Sequence, residues 1–310
     1  MSAYPKRLLS IKDLNRTQAN RIIEGALRAK SRPHAAPVLN DSQPPRIIAL
    51  VILEPSTRTR MNFEIAAHRI GARPVLFSAD GQTSLVKGES EHETLENILA
   101  MRPDLLVVRH SGDARVTQVI ESTQIPTINA GDGKNEHPTQ ALLDAATIFE
   151  KKGRVEGEKI VFIGDVEHSR VARSGRLLFE MLGAQVAVCA PPYLLPNSKD
   201  WAHVQKFSSM GEALDWSSVC MGLRVQKERH RNKNGAELDL SAYRKDFRIE
   251  KRNLKNLKPD ALIMHPGPFV ADEDLSEEVL LDPRCVIHQQ VTNGVYIRML
   301  LLSEMLEGAQ

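Results

Sequence analysis

Arg46–Leu53 reads RIIALVIL and runs directly into Glu54–Arg60, EPSTRTR, and then Met61–Ile70, MNFEIAAHRI. The first run is apolar on both faces, as a strand covered by helices on two sides must be. In the third, Phe63, Ala66, Ala67 and Ile70 recur at i, i+3, i+4 and i+7, the spacing of an amphipathic helix. Strand, turn and helix in this order are one half of a βαβ unit. The turn between them presents free backbone N–H groups and the positive end of a helix dipole, which suits an anion. Ser56, Thr57 and Thr59 add hydroxyls, and Arg58 adds a fork matched to phosphate oxygens. An ordinary capped helix with solvated arginines accounts for the same residues equally well.

Moving outward, the pattern repeats. Pro74–Phe77, Leu105–Val108, Lys159–Ile163, Gln185–Cys189, Val219–Leu223 and Ala261–Met264 are further short apolar runs, each expected to be apolar on both faces. Helical spacing recurs at Ala141, Ala145 and Ile148, and Ser10 is an expected N-cap for a helix over Ile11–Lys30. The Pro-rich stretch Ser31–Pro45 ends that helix, and the polar stretch Lys151–Glu158 precedes a fresh strand. The expected architecture is α/β, with two doubly wound parallel-sheet domains. Residues 1–138 form the first and 139–292 the second, and a last helix over Asn293–Leu306 packs back on the first, so that 293–310 belongs with it.

A chain of 310 residues buries enough surface to fold without disulfides or a structural metal. Forty-one basic against 39 acidic residues leave +2, spread along the chain, which gives no basic face for nucleic acid. Leu8–Leu9 is too short for a signal-peptide core, and no run reads as a membrane span. Cys189, Cys220 and Cys285 are far apart and odd in number, so a reducing cytoplasm is expected and neither a disulfide framework nor a thiolate zinc site. No metal and no cofactor are expected. Gly-x-x-x-x-Gly-Lys-Ser/Thr is absent, and Gly164-Asp165 does not open a Gly-x-Gly-x-x-Gly, which argues against kinase, NTPase and dehydrogenase chemistry.

Ligands of open parallel sheets bind beyond the carboxyl ends of strands. Arg109 ends one candidate strand, His137-Pro138-Thr139-Gln140 opens a helix, and Gly164–Arg170 follows KIVFI. Arg224–Arg229 follows VCMGL, and His265-Pro266-Gly267-Pro268 follows ALIM. Each alone has a bland account as a cap, a salt-bridge partner or a core histidine. Their recurrence at five strand ends points to a donor-rich site for a small phosphorylated substrate.

Taken in order, these segments resemble the aspartate carbamoyltransferase catalytic chains within the carbamoyltransferase family. The resemblance spans nearly the whole chain. It is carried by EPSTRTRMNFE, TSLVKGE (Thr83–Glu89), VVRH (Val107–His110), NAGDGKNEHPTQALLD (Asn129–Asp144), GDVEHSRVARS (Gly164–Ser174), RVQKER (Arg224–Arg229), MHPGP (Met264–Pro268) and QQVTNGVYIRMLLL. It implies transfer of the carbamoyl group of carbamoyl phosphate to the amino group of L-aspartate in pyrimidine synthesis. By motif position it implies that Ser56, Thr57, Arg58 and Thr59 hold phosphate and that Arg109, His137 and Gln140 hold the carbamoyl group. Arg170, Arg224 and Gln226 would bind aspartate. The backbone of Pro266 and Gly267, with Pro268, would meet the carbamoyl nitrogen or the amine. Lys87, with Thr83 or Ser84, would enter a neighbouring subunit's site and bind aspartate there, which implies a homotrimer with shared sites. Of these, Arg58, Thr59, Lys87, Arg109 and His137 are the expected catalytic residues, acting as fixed donors to the charge that develops on the carbonyl oxygen. The leaving phosphate can take the amine proton, so His137 is read as a donor rather than a base.

Two positions depart from the family pattern: Thr83 stands where serine is usual, and Phe269–Asp274 is acidic where Asn-Arg-Gly is common. Ornithine-specific members carry His-Pro-Cys-Gln and His-Cys-Leu-Pro where this chain has HPTQ and HPGP. Arg170, Arg224 and Lys87 also suit a dianion better than an ammonium. A non-catalytic, anion-binding scaffold is the reading from another class, against which the joint presence of Ser56, Arg58, Arg109, His137 and Arg224 argues. Regulatory or dihydroorotase-like partner chains are left open by the sequence.

Overall fold

The computed structural model describes residues 4–32, 36–39, 44–79, 88–226, 241–271 and 273–308. The chain forms two compact units, Met1–Ala146 with Arg173–Leu177 and Val291–Gln310, and Thr147–Ala172 with Leu178–Gln290.

In chain order the first unit is built from β1 (Arg7–Leu8), α1 (Arg16–Ser31), β2 (Ile47–Ile52), α2 (Thr57–Arg69), β3 (Arg73–Ser78), α3 (Glu91–Ala100), β4 (Leu105–His110), α4 (Ala114–Ser122), β5 (Thr127–Asp132) and the start of α5 (Pro138–Lys152). Its sheet is parallel throughout, in the order β1-β5-β4-β2-β3. The chain leaves β2 toward β3 on one side and returns to β4 on the other, so the gap between the carboxyl ends of β2 and β4 is the switch point where such sheets bind ligands. Register sets Ile52 opposite Arg109 there. On one face Ala49, Val51, Leu53, Leu106 and Val108 pack with Leu95 of α3 and with Val116 and Ile120 of α4. Ile48, Leu50 and Ile52, which alternate with them, are equally buried, so both faces of the sheet are covered.

The second unit runs through β6 (Lys159–Gly164), α6 (Arg170–Met181), β7 (Gln185–Cys189), β8 (Gln205–Phe207), α7 (Met210–Trp216), β9 (Val219–Leu223), α8 (Ser241–Phe247) and β10 (Leu262–Met264) to α9 (Ile287–Glu307), whose later part returns to the first unit. The sheet is again parallel, β10-β9-β6-β7-β8, with its switch point between β6 and β9. Gly164 lies opposite Leu223 at that point with φ +125°, and a Cβ there would sit 2.4 Å from the Leu223 carbonyl oxygen. Only glycine fits.

α9 packs back on the first unit. Asn62 of α2 donates to the Val291 carbonyl at 3.1 Å, and Lys30 of α1 donates to Asn293 at 2.8 Å. None of the helices among the described residues is long and apolar enough to cross a membrane.

Three expectations need correction. The single helix expected over Ile11–Lys30 is two pieces: Ser10 caps a short 3-10 turn, Ile11–Asp13, and Asn15 then caps α1. Both caps are reciprocal boxes, with Asp13 and Gln18 answering Ser10 and Asn15, and this local chemistry outcompetes a continuous helix. The Pro74–Phe77 run is an edge strand with Val75 57% exposed, because β3 has a neighbour on one side only. The last helix begins at Ile287 rather than Asn293.

Candidate active site

The turn after β2 is built by Ser56. Its backbone is extended, its hydroxyl oxygen accepts the Thr59 N–H at 3.3 Å, and its O–H lies 2.9 Å from Thr59 Oγ1. Thr59 is buried while Thr57 and Arg58 are exposed. Among the described residues no carboxylate pairs with Arg58. Desolvation by its surroundings lowers the pKa of the guanidinium from the usual arginine value. A cation held at a helix start without a partner is an anion-binding arrangement.

Arg109, at the end of β4, is buried and engaged. Its guanidinium donates to the Glu54 carbonyl at 3.1 Å, the Ala130 carbonyl at 3.3 Å and the Glu54 carboxylate at 2.5 Å. Glu54 and Leu53 return the favour by donating their N–H groups to the Arg109 carbonyl. Reading the sequence leaves Arg109 as an open donor; in the structure it is cross-linked to the turn after β2 by Glu54.

His137 precedes α5, and its carbonyl accepts the Gln140 and Ala141 N–H groups. Its own N–H donates to Ser174 Oγ at 2.8 Å, and Ser174 donates onward to Glu136 at 3.1 Å. Glu136 is held in turn by the Ser10 hydroxyl and by the Ile11 N–H at 2.9 Å. Gln140 donates its side-chain N–H to Asp144, one turn along α5, at 2.9 Å. Behind these residues lies Arg298 of α9, which donates to Asn62 at 2.6 Å and Thr139 at 3.4 Å and sits 4.9 Å over the Phe63 ring. Burial lowers its pKa to about 9 and the Asp144 charge opposes that shift, so Arg298 is cationic at neutral pH. The first unit thus brings Ser56–Thr59, Arg109, His137 and Gln140 to one end of its sheet.

In the second unit Ser169 caps α6 and Arg170 is its first residue, buried. Arg224 and Gln226 follow β9. The Gln226 N–H donates to Asp165 at 3.1 Å and its side chain donates to the His168 carbonyl at 2.9 Å, which joins the loops after β6 and β9. Asp165 is fully buried and also meets His168 Nδ1 at 2.8 Å. Asp274 is buried too, accepting the Val225 N–H at 3.2 Å and the Val270 N–H at 3.0 Å. Burial raises its pKa to about 6 against the pull of those donors. The Gly267–Pro268 peptide is cis, and the Gly267 N–H donates to His265 Nδ1 at 2.9 Å. Lys87, Thr83 and Ser84 lie outside the described residues, as does Asp272 of the acidic segment.

Glu54, Asp144, Asp165 and Arg298 escape the sequence reading because what each does depends on its partners in the fold: Glu54 on Arg109, Asp144 on Gln140, Asp165 on the Gln226 N–H, and Arg298 on Asn62 and Thr139. Among the described residues no group of three or more His, Cys, Asp or Glu side chains is arranged to hold a metal.

Residues 6–150 match the aspartate/ornithine carbamoyltransferase carbamoyl-P binding domain, and residues 156–305 match the Asp/Orn binding domain of that family. The aspartate carbamoyltransferase catalytic subunit of Acetivibrio thermocellus is 42% identical over 301 residues, covering 96% of this chain and 94% of that one. Its counterpart in Solibacter usitatus is 39% identical, with 97% and 99% covered. Among solved structures, aspartate transcarbamoylase from Trypanosoma cruzi in complex with N-(phosphonacetyl)-L-aspartic acid superposes with a TM-score of 0.85 at 28% identity, covering 98% of this chain and 97% of that one. The catalytic subunit from M. jannaschii gives 0.83 at 29%, covering 98% of each. The chain belongs to the aspartate/ornithine carbamoyltransferase family.

Proposed function

We propose that the chain catalyses attack of the L-aspartate amine on the carbamoyl carbon of carbamoyl phosphate. A C–N bond forms, the C–O bond to phosphate breaks, and the departing phosphate takes the amine proton, giving N-carbamoyl-L-aspartate and phosphate for pyrimidine synthesis. The observation that carries the reading is that both sheets place arginine-bearing segments at their switch points: Ser56–Thr59 and Arg109 in one, Arg170 and Arg224–Gln226 in the other. Ser56, Thr57, Arg58 and Thr59 take the phosphate; Arg109, His137 and Gln140, with the Gly267–Pro268 backbone, take the carbamoyl group; Arg170, Arg224 and Gln226 take the aspartate carboxylates. Thr59, Arg109 and His137 stabilise the oxyanion, and holding the reactants side by side removes much of the entropic barrier. The second unit's buried carboxylates, Asp165 and Asp274, accept backbone N–H groups, which favours an anionic second substrate over ornithine's ammonium.

The functional division follows: residues 1–138 with 293–310 serve carbamoyl phosphate, and 139–292 serve aspartate apart from Gln140 and the Gly267–Pro268 backbone, which are given to the carbamoyl group. The working form is a cytoplasmic homotrimer in which Lys87 acts on a neighbour's site, a reading supported by the TSLVKGE motif. Mixing Lys87→Ala with Arg58→Ala under subunit exchange should restore activity in hybrid sites; exchange without recovery would exclude sharing. The central test is a steady-state assay of the isolated chain with carbamoyl phosphate and aspartate. Carbamoyl aspartate and phosphate should appear in equal amounts, and a folded chain with no turnover at saturation would favour the anion-binding scaffold.

A further inference from the structure

His265-Pro266-Gly267-Pro268 follows β10. Proline has no backbone N–H, so Pro266–Pro268 carries a carbonyl on every residue but a single donor, the Gly267 N–H. That donor is spent inward, on His265 Nδ1 at 2.9 Å. A ring nitrogen that accepts holds no proton, so the proton of this imidazole is on Nε2. The Pro266–Gly267 peptide is trans and planar, which points the Pro266 carbonyl opposite to the N–H and away from the ring. Among the described residues nothing donates to the carbonyls of Pro266, Gly267 or Pro268. The turn therefore offers acceptors only.

Several elements fix the imidazole behind it. The His265 N–H donates to Oε1 of Gln290 in α9, itself buried, at 3.0 Å. Gly222 of β9 leaves the ring its room, since a Cβ there would stand 2.9 Å from His265 Cδ2. Phe269 meets the ring edge-on with centroids 6.0 Å apart. His265 is buried, while Pro266 and Gly267 are half-buried and Pro268 is exposed. In the first unit His110, at the end of β4, takes the N–H of Gly112 in the same way at 3.2 Å. The residue between them is Ser111, which keeps its own donor. A histidine that holds a glycine two residues on is thus a turn device found in both units; what sets 265–268 apart is that the flanking prolines leave that glycine as the one donor to be removed.

We propose that His265 is a positioning residue that takes the single N–H of the Pro266–Pro268 turn and so presents an acceptor-only backbone to the carbamoyl nitrogen. The inference rests on the assignment of this backbone to the carbamoyl group made above. A carbamoyl NH2 can donate to such a surface, whereas a methyl in its place leaves the carbonyls unmatched.

The test is calorimetric binding of carbamoyl phosphate and of acetyl phosphate, which has a methyl where the NH2 stands, to the full chain and two variants. His265→Leu keeps apolar bulk without an acceptor. It should weaken carbamoyl phosphate about tenfold and acetyl phosphate less than about twofold. His265→Asn keeps an acceptor at the δ position but leaves a void. It should hold carbamoyl phosphate within about threefold of wild type although it melts lower than His265→Leu. A merely structural role would make binding follow the melting temperature. An unchanged carbamoyl-to-acetyl ratio in His265→Leu, or a loss that His265→Asn shares in full, would overturn the proposal. If His265→Leu does not fold, Gly222→Ala, which crowds the ring at Cδ2, decides: the ratio should fall about threefold, and an unchanged ratio overturns. A wild-type chain that prefers neither ligand would refute the assignment of this backbone to the carbamoyl group, and the proposal with it. A wild-type preference that His265→Leu retains would refute the positioning role alone.

Discussion

The N-terminus of α2 and the N-terminus of α5 both serve the carbamoyl phosphate half of the proposed site, yet they are built in opposite ways. At α2 the capping is local, Ser56 to Thr59, and Arg58 stands without a carboxylate partner among the described residues. At α5 most tethers are long range, His137 through Ser174 and Glu136 to Ser10 and Thr139 to Arg298, while Gln140 is held one turn along by Asp144. A phosphate brings its own charge and can be gripped by an adaptable cation. A small neutral carbamoyl group must be recognised by donors and acceptors fixed beforehand, because it can organise little itself.

The contrast is broken most severely at its open end. Arg58→Ala should cut turnover ~100-fold or more while leaving the melting temperature near wild type, since no described carboxylate depends on that side chain. Near-normal turnover in a folded variant would remove Arg58 from the phosphate cradle. Arg224→Lys extends the contrast to the second unit. It keeps the charge but loses the planar fork, so KM for aspartate should rise roughly ten- to a hundredfold, equivalent to about 1.5–3 kcal/mol, with carbamoyl phosphate binding almost unchanged. A shift in carbamoyl phosphate affinity instead would mean that the two halves are wrongly divided.

At the tethered end, Ser174→Ala strands the buried His137 N–H. It should lower unfolding free energy by about 1–3 kcal/mol and turnover about three- to tenfold, a stability loss that Arg58→Ala does not share. The smallest effect concerns Asp274. Its pKa is raised by burial to about 6 from an unfolded value near 3.8, so the folded chain binds the extra proton between those values. Stability contributed by this group is therefore present in acid and lost as pH rises from about 4 through 6. Denaturation of wild type and Asp274→Asn across that range should show their stability difference sloping by about 2 kcal/mol in total, in favour of the variant at higher pH. A difference that does not vary with pH would mean that Asp274 titrates normally.

How far the sequence reaches follows the same division between local and distant causes. β6 and β9 are readable because Lys159–Ile163 and Val219–Leu223 are buried on both faces and look it. β5 is not, because TINAGD spends Asn129 on the Leu9 carbonyl and the Gly131 N–H, a use of polar side chains that no hydrophobic period signals. Ser56, Arg58 and His137 stand at strand ends or helix starts and can be picked out there. The Glu54 carboxylate on Arg109, and Arg298 behind Thr139, depend on which elements become neighbours, and periodicity within one segment is blind to that.

The placement of Arg298 also bears on biosynthesis. On the ribosome, strands β1 to β5 and the start of α5 emerge first, the whole second unit follows, and the guanidinium of Arg298 arrives only with α9. At elongation rates of ~5–20 residues per second, the start of α5 waits roughly eight to thirty seconds for that guanidinium to be made. A chain that ends before α9 therefore keeps the Ser174–Glu136–Ser10 tether of α5 but lacks the guanidinium that Thr139 and Asn62 hold.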